Sequence, residues 1–520
     1  MSAFTYPGVY IEELQSAQHT ITGVATSIAV FIGWSPQGPV QEATLVQSWS
    51  DYQALFGGIS NSASYLSYAV NQFFGNGGSQ AYIVRIVADS NTTGASQEAA
   101  TATKAVSTLT LWAGNPGVWG NNLSITVTPS KSDPTKFSLL VQLVVNGQTT
   151  TLESYSNLSV ATTDPQYVVT VIDSDSNYIT FVNPTTTPPA APSAAPGMPS
   201  LAKAVMLAGG LDGDVLDPTD TSGKFLATLN LTTGNATTIS WLDPLPIFNL
   251  VCIPGESDAP TLEIFQAYCN LRRAFLIIDA PQLSTVSGLT TSGPVGNGST
   301  AFSGQYLSNS AYYFPWVLAP DPLVGNRSRL FPPCGFIAGI YAATDADRGV
   351  WKAPAGIQAS LGGVLGLQYN LSDAQNGSLN PQAINCLRQF QVYGEVVWGA
   401  RTLAGNDEMG SQWKYVPIRR LALFLESSLY DGTQWVVFEP NDETLWGQIR
   451  LNVGTFLQGL FLQGAFAGTS PQQAYFVKCD GENNPASSVA LGVVNILVGF
   501  APLYPAEFVV IQIQQIIGQN

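Results

Sequence analysis

Side chains able to act as catalysts are rare in this sequence, and its only imidazole lies near the start. His19 is the single histidine among 520 residues and is surrounded by Gln, Ser and Thr. A Ser–His–Asp triad holds its histidine between a nucleophile and an orienting acid, so a triad here would have to recruit a terminal segment. We therefore interpret His19 as a surface residue. The sequence contains no G-x-S-x-G, G-x-x-x-x-G-K-[ST] or H-E-x-x-H motif.

Paired carboxylates are the second kind of catalytic candidate. Glu12 and Glu13 are adjacent in the sequence, as are Asp442 and Glu443. Adjacent residues of a strand point to opposite faces, whereas acidic residues at a helix start interact with its dipole and its free N–H groups. Both pairs are therefore predicted to be structural, and the sequence predicts no catalytic residue.

Three other features could suggest a bound metal or nucleotide. The aspartates of residues 212–220 resemble a calcium loop, but Leu216 occupies the third ligand position and no glutamate closes the loop. The five cysteines show no zinc-type spacing, which predicts buried free thiols. The glycine-rich stretch 296–301 follows a loop instead of a strand, so it is a weak match to a phosphate loop. We expect no metal and no cofactor.

Composition restricts the partners. Only 10% of the 520 residues are charged, and the formal net charge is −16. Nucleic acids and anionic membrane surfaces attract clusters of Lys and Arg, which this sequence lacks, so neither is an expected partner. A polar but weakly charged surface suits a protein that packs against copies of itself. The length favours about two to four domains.

The N-terminus and the longest apolar run are the two places where the sequence could carry a targeting signal. MSAFTYPGVY lacks the basic start and apolar segment of a secretory signal. The apolar run 489–505 is interrupted by Asn495 and Gly499 and is shorter than a membrane-spanning helix, so it is predicted to be a core strand. We expect assembly in the bacterial cytoplasm without membrane insertion.

The C-terminal stretch 435–515 is the part around which the other elements are arranged. Asn441 is the predicted N-cap of a helix, and five apolar residues follow at helical spacing: Leu445, Ile449, Val453, Phe456 and Leu460. Glycines within the helix suggest close approach of a neighbouring element, and its aromatic residues suggest core packing. The chain ends in strict alternation, which predicts a strand with one apolar face: Ile511 and Ile513 against Gln512 and Gln514.

A second terminal strand is predicted near the N-terminus. Residues 6–14, YPGVYIEEL, alternate Val9 and Ile11 with Tyr10 and Glu12. A buried strand is then predicted in residues 26–39, a short helix in 48–57 with Ser50 as N-cap, a helix in 65–74 and a strand in 81–87.

The middle of the chain changes pattern twice. Residues 109–182 predict a small antiparallel β-domain, in which Asn146–Gly147 is a strong hairpin signal. Residues 183–200 form a Pro/Ala/Ser/Thr linker. From residue 241 onward, strand, helix and strand patterns predict a parallel βαβ unit, which residues 312–317 and 335–342 continue.

Several motifs in matching order carry a resemblance to a known family. They include YPGVYIEE, VFIGWSPQGP, SNSAYYFPWVLAPDP, VYGEVVWGARTLA, VPIRRL, FEPNDETLW and PAEFVV. The sequence resembles contractile tail sheath proteins, a family found in bacteriophage tails, R-type bacteriocins and extracellular contractile injection systems. The resemblance covers both ends and the middle of the chain, and leaves the β insertion and the linker unassigned.

The resemblance implies a mixed α+β and α/β multidomain fold with extended terminal arms. The predicted divisions, in chain order, are an N-terminal arm (1–22), the first part of a sheath core (23–90), an inserted β-rich outer domain (91–182), a linker (183–208), an inserted α/β domain (209–378), the second part of the core (379–505) and a C-terminal arm (506–520).

The resemblance further implies how copies connect. An apolar terminal strand is a liability in a monomer but a connector in an assembly, because it can complete a sheet of another copy. The residues predicted to make these inter-subunit contacts are Tyr6, Val9, Tyr10, Ile11, Phe508, Val510, Ile511 and Ile513. Residues 16–23 and 501–505 are the predicted joints of the two arms.

The implied function is mechanical. Sheath subunits stack as six-membered rings around an inner tube and contract from a metastable state, driving the tube through a target envelope. The implied partners are other copies of the chain, an inner tube protein, a baseplate and terminal cap proteins. The helix 442–463 is predicted to face the tube through Arg450, Asn452 and Gln458. The protein is expected to be part of a phage tail or a released tail-like particle.

Two alternatives stay open. An α/β enzyme acting on nucleotides or sugars would place its catalytic domain in residues 241–342, although no motif supports it. A self-assembling shell or surface-layer protein would form flat sheets instead of tubes. The sequence alone does not separate phage, bacteriocin and cellular injection systems.

Overall fold

The computed structural model describes residues 19–40, 42–90, 92–106, 109–182, 204–220, 222–229, 237–510 and 512. These residues form two compact units. One unit comprises the described part of residues 25–420, and the other comprises residues 421–510 together with 19–24.

The strands in chain order are β1 (Ala29–Trp34), β2 (Ala43–Val46), β3 (Ala81–Ile86), β4 (Ala99–Ala100), β5 (Thr103–Val106), β6 (Leu109–Ala113), β7 (Leu123–Pro129), β8 (Lys136–Val145), β9 (Gln148–Ser159), β10 (Ile179–Thr180), β11 (Val205–Met206), β12 (Leu211–Asp212), β13 (Leu250–Cys252), β14 (Phe275–Asp279), β15 (Ser310–Phe314), β16 (Val317–Asp321), β17 (Arg327–Phe331), β18 (Gly366–Leu367), β19 (Ile384–Phe390), β20 (Gly394–Val397), β21 (Tyr475–Lys478) and β22 (Leu497–Phe500). The α-helices are α1 (Trp49–Phe56), α2 (Leu66–Gly75), α3 (Val168–Asp175), α4 (Lys224–Leu229), α5 (Thr237–Ser240), α6 (Ala259–Arg272), α7 (Val286–Ser292), α8 (Cys334–Arg348), α9 (Asp373–Leu379), α10 (Val416–Gly432), α11 (Glu443–Leu462), α12 (Pro471–Ala474) and α13 (Ala486–Ala490).

An eight-stranded sheet forms the centre of the larger unit, in the order β2-β3-β1-β13-β14-β15-β19-β20. The six inner strands are parallel, and the two edge strands β2 and β20 are antiparallel to their neighbours. β1 and β14 are buried at every position, as expected for parallel strands that are covered on both faces. The predicted βαβ unit is confirmed, since β13 and β14 are parallel and α6 connects them.

This sheet draws strands from residues 29–86 and from residues 250–397. The predicted boundary between a core segment at 23–90 and an inserted α/β domain at 209–378 stays a prediction. The mixed α/β, multidomain fold class is confirmed.

The buried Arg85 joins the sheet to the loops around it. Arg85 lies near the end of β3. Its Nε donates to Ser35 O at 2.8 Å, its Nη1 to Gly38 O at 2.6 Å and its Nη2 to Pro116 O at 2.9 Å. Burial lowers the pKa of this guanidinium to about 9, so it stays charged at neutral pH. Three carbonyl oxygens therefore compensate one buried charge.

The predicted β-rich domain supplies all but β11 of the strands in two antiparallel sheets, β11-β7-β8-β9 and β10-β6-β5. The hairpin at Asn146–Gly147 is confirmed: it joins β8 to β9, with φ of 50° and 77° at the two turn residues. One segment of this predicted β-domain is a helix. Residues 168–175 form the helix α3, because Val168, Val169 and Ile172 are buried together on one helical face.

The smaller unit is built on α10 and α11. α11 buries a stripe that contains four of the five predicted apolar positions, while Phe456 is half-buried. Its N-cap is Asp442, whose side chain accepts from Leu445 N at 3.0 Å, so the prediction of Asn441 was wrong by one residue. Asn441 Oδ1 instead accepts from the Trp446 indole at 2.8 Å.

Two further local predictions were wrong. The N-cap of α1 is Ser48, which accepts from Asp51 N at 3.1 Å, and Ser50 lies inside the helix. The run 489–500 is not one core strand: α13 ends at Ala490, Gly492 turns the chain at a φ of 70°, and only β22 is extended. Leu491 is 80% exposed in that turn.

Candidate functional site at the chain termini and helix α11

The predicted arm residues fall partly within the described chain. Tyr6, Val9, Tyr10, Ile11, Ile511 and Ile513 lie outside the described residues. Phe508 and Val510 are described and expose 75% and 81% of their surface, and Val509 between them exposes 80%. Residues 503–510 belong to no helix or strand. Three consecutive large apolar side chains thus face solvent at the end of the described chain.

A strand pair that lacks a third strand lies in the same unit. β21 and β22 are antiparallel, with Tyr475 opposite Phe500 and Lys478 opposite Leu497, and among residues 421–510 they form a sheet of two strands. Phe476 and Leu497 are 53% and 52% exposed. A two-stranded sheet is marginally stable unless another element or strand covers it.

Helix α11 supports this strand pair through a hydrogen bond. Tyr475 on β21 donates its hydroxyl to Gln458 Oε1 at 2.8 Å. Burial raises the pKa of Tyr475, so its hydroxyl stays protonated and able to donate at neutral pH. Gln458, predicted to face the tube, therefore takes part in positioning the strand pair.

The other two predicted tube-facing residues also have internal surroundings. Arg450 donates to Cys479 O, and its Nη2 forms an ion pair with Glu443 Oε1 at 2.6 Å. Asn452 is 7% exposed. The most exposed positions of α11 beyond its first turn are instead Leu451, Thr455 and Leu462, which share one helical face. The orientation of the helix toward a tube stays a prediction.

Residues 19–24, which include the end of the predicted N-terminal arm (1–22), are anchored on α10 and α11. Val24 N donates to Ser428 Oγ at 3.2 Å, and Ile21 is 6% exposed against Gly432. His19 is exposed and stacks on Trp435 with ring centroids 4.2 Å apart. The second half of the predicted joint 16–23 therefore has fixed contacts.

A cavity of about 440 Å³ separates this segment from α11. Residues 19–23 line one side, and Phe424, Phe456 and Leu460 are among the residues on the other. Asn452 also lines it, and its buried Nδ2 donates to no acceptor among the described residues. A polar group buried in this way leaves the cavity suited to a chain segment that offers a carbonyl oxygen.

The glycine and aromatic predictions for α11 have mixed outcomes. Trp446 is 8% exposed and belongs to the core, but Phe438 before the helix is fully exposed. A Cβ on Gly454 or Gly459 would meet no atom of the described chain within 4 Å outside the neighbouring helix backbone, so no described residue is the expected close neighbour.

Groups suited to chemistry are not brought together. The part of the chain that the structure describes contains no cluster of three His, Cys, Asp or Glu side chains arranged to hold a metal. All five cysteines are buried free thiols, as predicted. Asp214, from the aspartate-rich loop, accepts from Ser96 and Lys224, which lowers its pKa to about 2. Among the described helices, none combines the length and apolarity needed to cross a bilayer.

Sequence reasoning missed the position of Gly499 in the strand pair and the partners of α11. Gly499 lies opposite Phe476 in the strand pair, and the aromatic ring occupies the space beside the glycine Cα. The partner of β21 is β22, which lies in the run that was predicted as one core strand. The interruption of that run by Gly492 was the signal that could have divided it.

Comparisons with known proteins agree with this architecture. The model of the phage tail sheath protein central domain matches residues 247–403, and that of the phage tail sheath C-terminal domain matches residues 408–516. A third model, the N-terminal domain of DUF2586, matches residues 6–243.

Curated relatives are tail sheath proteins. The chain is 28% identical over 165 residues to that of Vibrio phage KVP40, covering 32% of this chain and 23% of the relative. It is 29% identical over 241 residues to that of Burkholderia phage BcepMu, covering 45% and 47%, and 25% identical over 233 residues to that of Enterobacteria phage T4, covering 42% and 34%. The matched segments therefore span less than half of these relatives.

Solved structures share the fold over nearly the whole chain. The anti-feeding prophage helical sheath in the contracted state has a TM-score of 0.56 at 23% identity and covers 99% of this chain and 100% of that chain. The PVC sheath complex of an extracellular contractile injection system, also contracted, has a TM-score of 0.55 at 22% identity, covering 99% of both. A sheath tail protein of Listeria innocua has a TM-score of 0.60 at 12% identity, covering 93% and 96%.

These findings define the class as structural proteins of phage tails and tail-like particles. Two sheath domain models together match just over half of the sequence, and their order agrees with the order of the motifs. The chain belongs to the phage tail sheath family.

Proposed function

We propose that this protein is the structural subunit of a contractile sheath, linked to its neighbours by exchanged terminal β-strands. The observation that carries the proposal is the combination, in one unit, of an apolar exposed terminal segment with a strand pair to which no third strand of the described residues is added. Phe508, Val509 and Val510 expose 75 to 81% of their surface, and Phe476 and Leu497 expose about half of theirs. Each feature offers what the other lacks.

The exchange connects one copy to the next in a fixed direction. A terminal segment donated to another copy makes a heterologous contact, because donor and acceptor surfaces differ. Heterologous contacts that do not close on themselves generate helices. The N-terminal residues Tyr6, Val9, Tyr10 and Ile11 and the C-terminal residues Phe508, Val510, Ile511 and Ile513 supply the donated strands, giving a helical stack of six-membered rings.

Contraction requires joints beside strands that stay paired. The segment 501–505 contains two prolines, which prevent regular structure without shortening the reach of the chain. Rotation of the subunit bodies about such joints converts a metastable extended sheath to a shorter and more stable one. The stored free energy drives the inner tube through a target envelope, and a baseplate supplies the trigger.

Helix α11 faces the inner tube in this proposal. Its outward residues Leu451, Thr455 and Leu462 carry no charge, and Arg450 beside them is neutralised by Glu443. An uncharged face against the tube permits sliding, because few ion pairs have to break during contraction. The further partners are terminal cap proteins. The protein has no enzymatic role and assembles in the bacterial cytoplasm into a phage tail or a released tail-like particle.

Single substitutions in the exposed terminal segment test the strand exchange. Val510→Ser should abolish long tubes in negative-stain micrographs and leave dispersed particles in sedimentation, because it removes an apolar contact that only another copy provides. Val392→Ser is the matched control, since Val392 is 83% exposed against 81% for Val510 but lies in the other unit.

Three outcomes would contradict the proposal. Tubes of normal length from Val510→Ser, together with tubes from a chain that lacks residues 508–520, would exclude the C-terminal exchange. A compact monomer at high concentration would exclude assembly. Flat sheets would support the shell or surface-layer alternative.

A further inference from the structure

The larger of the two units contains a cavity that has no part in the proposed sheath function. It has a volume of about 570 Å³, within the range of small-molecule sites. Its walls come from the loop between β13 and α6, the segment after β14 that leads into α7, and the residues around α4. Its lining includes Asp220, Phe225, Glu256, Asp258, Leu283 and Leu289.

The position of the cavity follows from the sheet topology. β3 and β13 lie on opposite sides of β1, so the strand order reverses at β1. In open parallel sheets, ligands bind beyond the carboxyl ends of the strands, close to such a reversal. The loops that follow β13 and β14 lie at that end of the sheet and line the cavity.

Glu256 is a buried side chain whose two carboxylate oxygens differ in their hydrogen bonding. It is 1% exposed, and its Oε1 accepts from Ser257 N at 2.7 Å and from Asp258 N at 2.6 Å. Among the residues that the structure describes, none donates a hydrogen bond to its Oε2, which is buried. A buried carboxylate oxygen without a donor is costly, so a donor from a ligand would remove this cost.

The remaining charged groups of the cavity have the same sign. Asp258 caps α6 by accepting from Thr261 N at 3.0 Å, and Asp220 accepts from Ser222 N at 3.1 Å. Within the described residues, no Lys or Arg lines the cavity. The site therefore attracts a cation and repels an anion.

Apolar side chains complete the opposite wall. Phe225 and Leu289 are 3% and 1% exposed, whereas Leu283 is 89% exposed. A ligand here meets an apolar surface over most of its length and a carboxylate at one end. Such a site fits a molecule with a positive head and an apolar stem.

We propose that this cavity binds an organic cation, an ammonium or guanidinium group on a short apolar stem, which donates to Glu256 Oε2. The cation is either a free amine or a lysine or arginine side chain of a second copy. This site is independent of the strand exchange, because all of its residues lie in the unit of residues 25–420.

Calorimetric titration of the full-length chain with butylguanidinium tests the site. The cation should bind, and butyrate and 1-butanol, which share its stem, should not. Glu256→Gln should weaken binding about tenfold or more, since it removes a charge-assisted hydrogen bond. Glu263→Gln is the matched control: Glu263 also accepts from two successive backbone N–H groups, of Ser303 and Gly304, but does not line the cavity.

The wild-type chain alone can overturn the proposal, so the test does not depend on folding of a variant. Absence of binding at millimolar butylguanidinium, or equal binding of butyrate, would refute it, as would equal affinity of the Glu256→Gln chain. Sedimentation with and without the probe then separates the two sources. A site for free amines leaves self-association unchanged, whereas a site filled by another copy loses that copy when the probe competes.

Discussion

Phe476 lies directly opposite Gly499 in the β21–β22 pair, and its ring occupies the space that a Cβ on residue 499 would fill. Glycine alone leaves strands weak, because it offers no side chain to the neighbouring strand. An aromatic ring placed over it restores the missing contact. The strand pair that we propose as the acceptor of exchanged arms is therefore held by a specific ring-over-glycine contact.

Replacing this glycine should separate the two strands. Gly499→Ala places a methyl group inside the Phe476 ring, and an overpacked contact of this kind costs about 1–3 kcal/mol. We expect a lower urea midpoint for the smaller unit and loss of tubes in micrographs. The same substitution at Gly454, where a Cβ meets open space, should instead stabilise the isolated chain by about 1 kcal/mol. Equal stability of the two variants would contradict the contact.

The exposed face of α11 gives a direct test of the tube-facing orientation. Leu451 is 53% exposed, so Leu451→Glu should leave the unfolding free energy nearly unchanged while placing an unpaired charge against the tube. Assembly on purified inner tubes should fail, as measured by co-sedimentation. Leu271→Glu, on α6 and 70% exposed, is the control and should still assemble. Normal assembly of the Leu451 variant would exclude this orientation. Arg450 is a poorer probe, because its charge reversal also breaks the bonds to Glu443 and Cys479.

Local pattern was enough to predict α11 but not its capping residue. Asn441 and Asp442 are both good N-cap types, so propensity could not choose between them. The choice depends on Trp446, whose indole donates to Asn441 and leaves Asp442 to accept from Leu445. The hydrogen bond between the Trp446 indole and Asn441 thus explains why the N-cap is one residue later than predicted.

The candidate site was less predictable, because its residues acquire partners from distant parts of the chain. Arg450 and Gln458 have polar side chains on a long amphipathic helix, which favours an exposed position. Their partners are Tyr475 in β21 and Cys479 directly after it, and no spacing rule relates these residues to α11. The sequence did not predict the pairing of β21 with β22 either, because this pairing depends on a turn at Gly492 inside an apolar run.

A buried ion pair provides a prediction for the larger unit. Arg420 Nη2 lies 2.6 Å from Asp345 Oδ2, both side chains are 3% exposed, and the guanidinium also donates to Thr26 O. Arg420→Met leaves a buried carboxylate without its partner, which costs about 3–5 kcal/mol. The double variant Arg420→Met/Asp345→Leu should recover a large part of that loss in guanidinium denaturation.

The matched control for this pair is an exposed one. Lys478 and Glu482 form an ion pair with 32% and 81% exposure of the two side chains, so Glu482→Gln should cause no measurable loss of stability. Strictly additive effects of the two substitutions at residues 345 and 420 would contradict the coupling.

The pH dependence of stability should report Glu256 directly. Burial raises the pKa of this carboxyl to about 7 from an ordinary value of 4.5. The folded chain then holds a proton that the unfolded chain releases between these two values, so stability contributed by Glu256 is present below pH 4.5 and is lost as the pH rises to about 7. The loss is on the order of 3 kcal/mol. Asp279, whose pKa burial raises to about 6, adds a loss of the same sign.

Glu256→Gln removes this linkage while keeping an oxygen for Ser257 N and Asp258 N. The variant should match the wild type near pH 4.5 and exceed its unfolding free energy at pH 8, in denaturation curves measured without an added cation. Because Asp279 is present in both chains, their difference isolates Glu256. Glu263→Gln is the control substitution, because Glu263 also accepts from two successive backbone N–H groups but does not line the cavity. A wild-type advantage that grows with pH would mean that Glu256 already has a cationic partner in the folded chain.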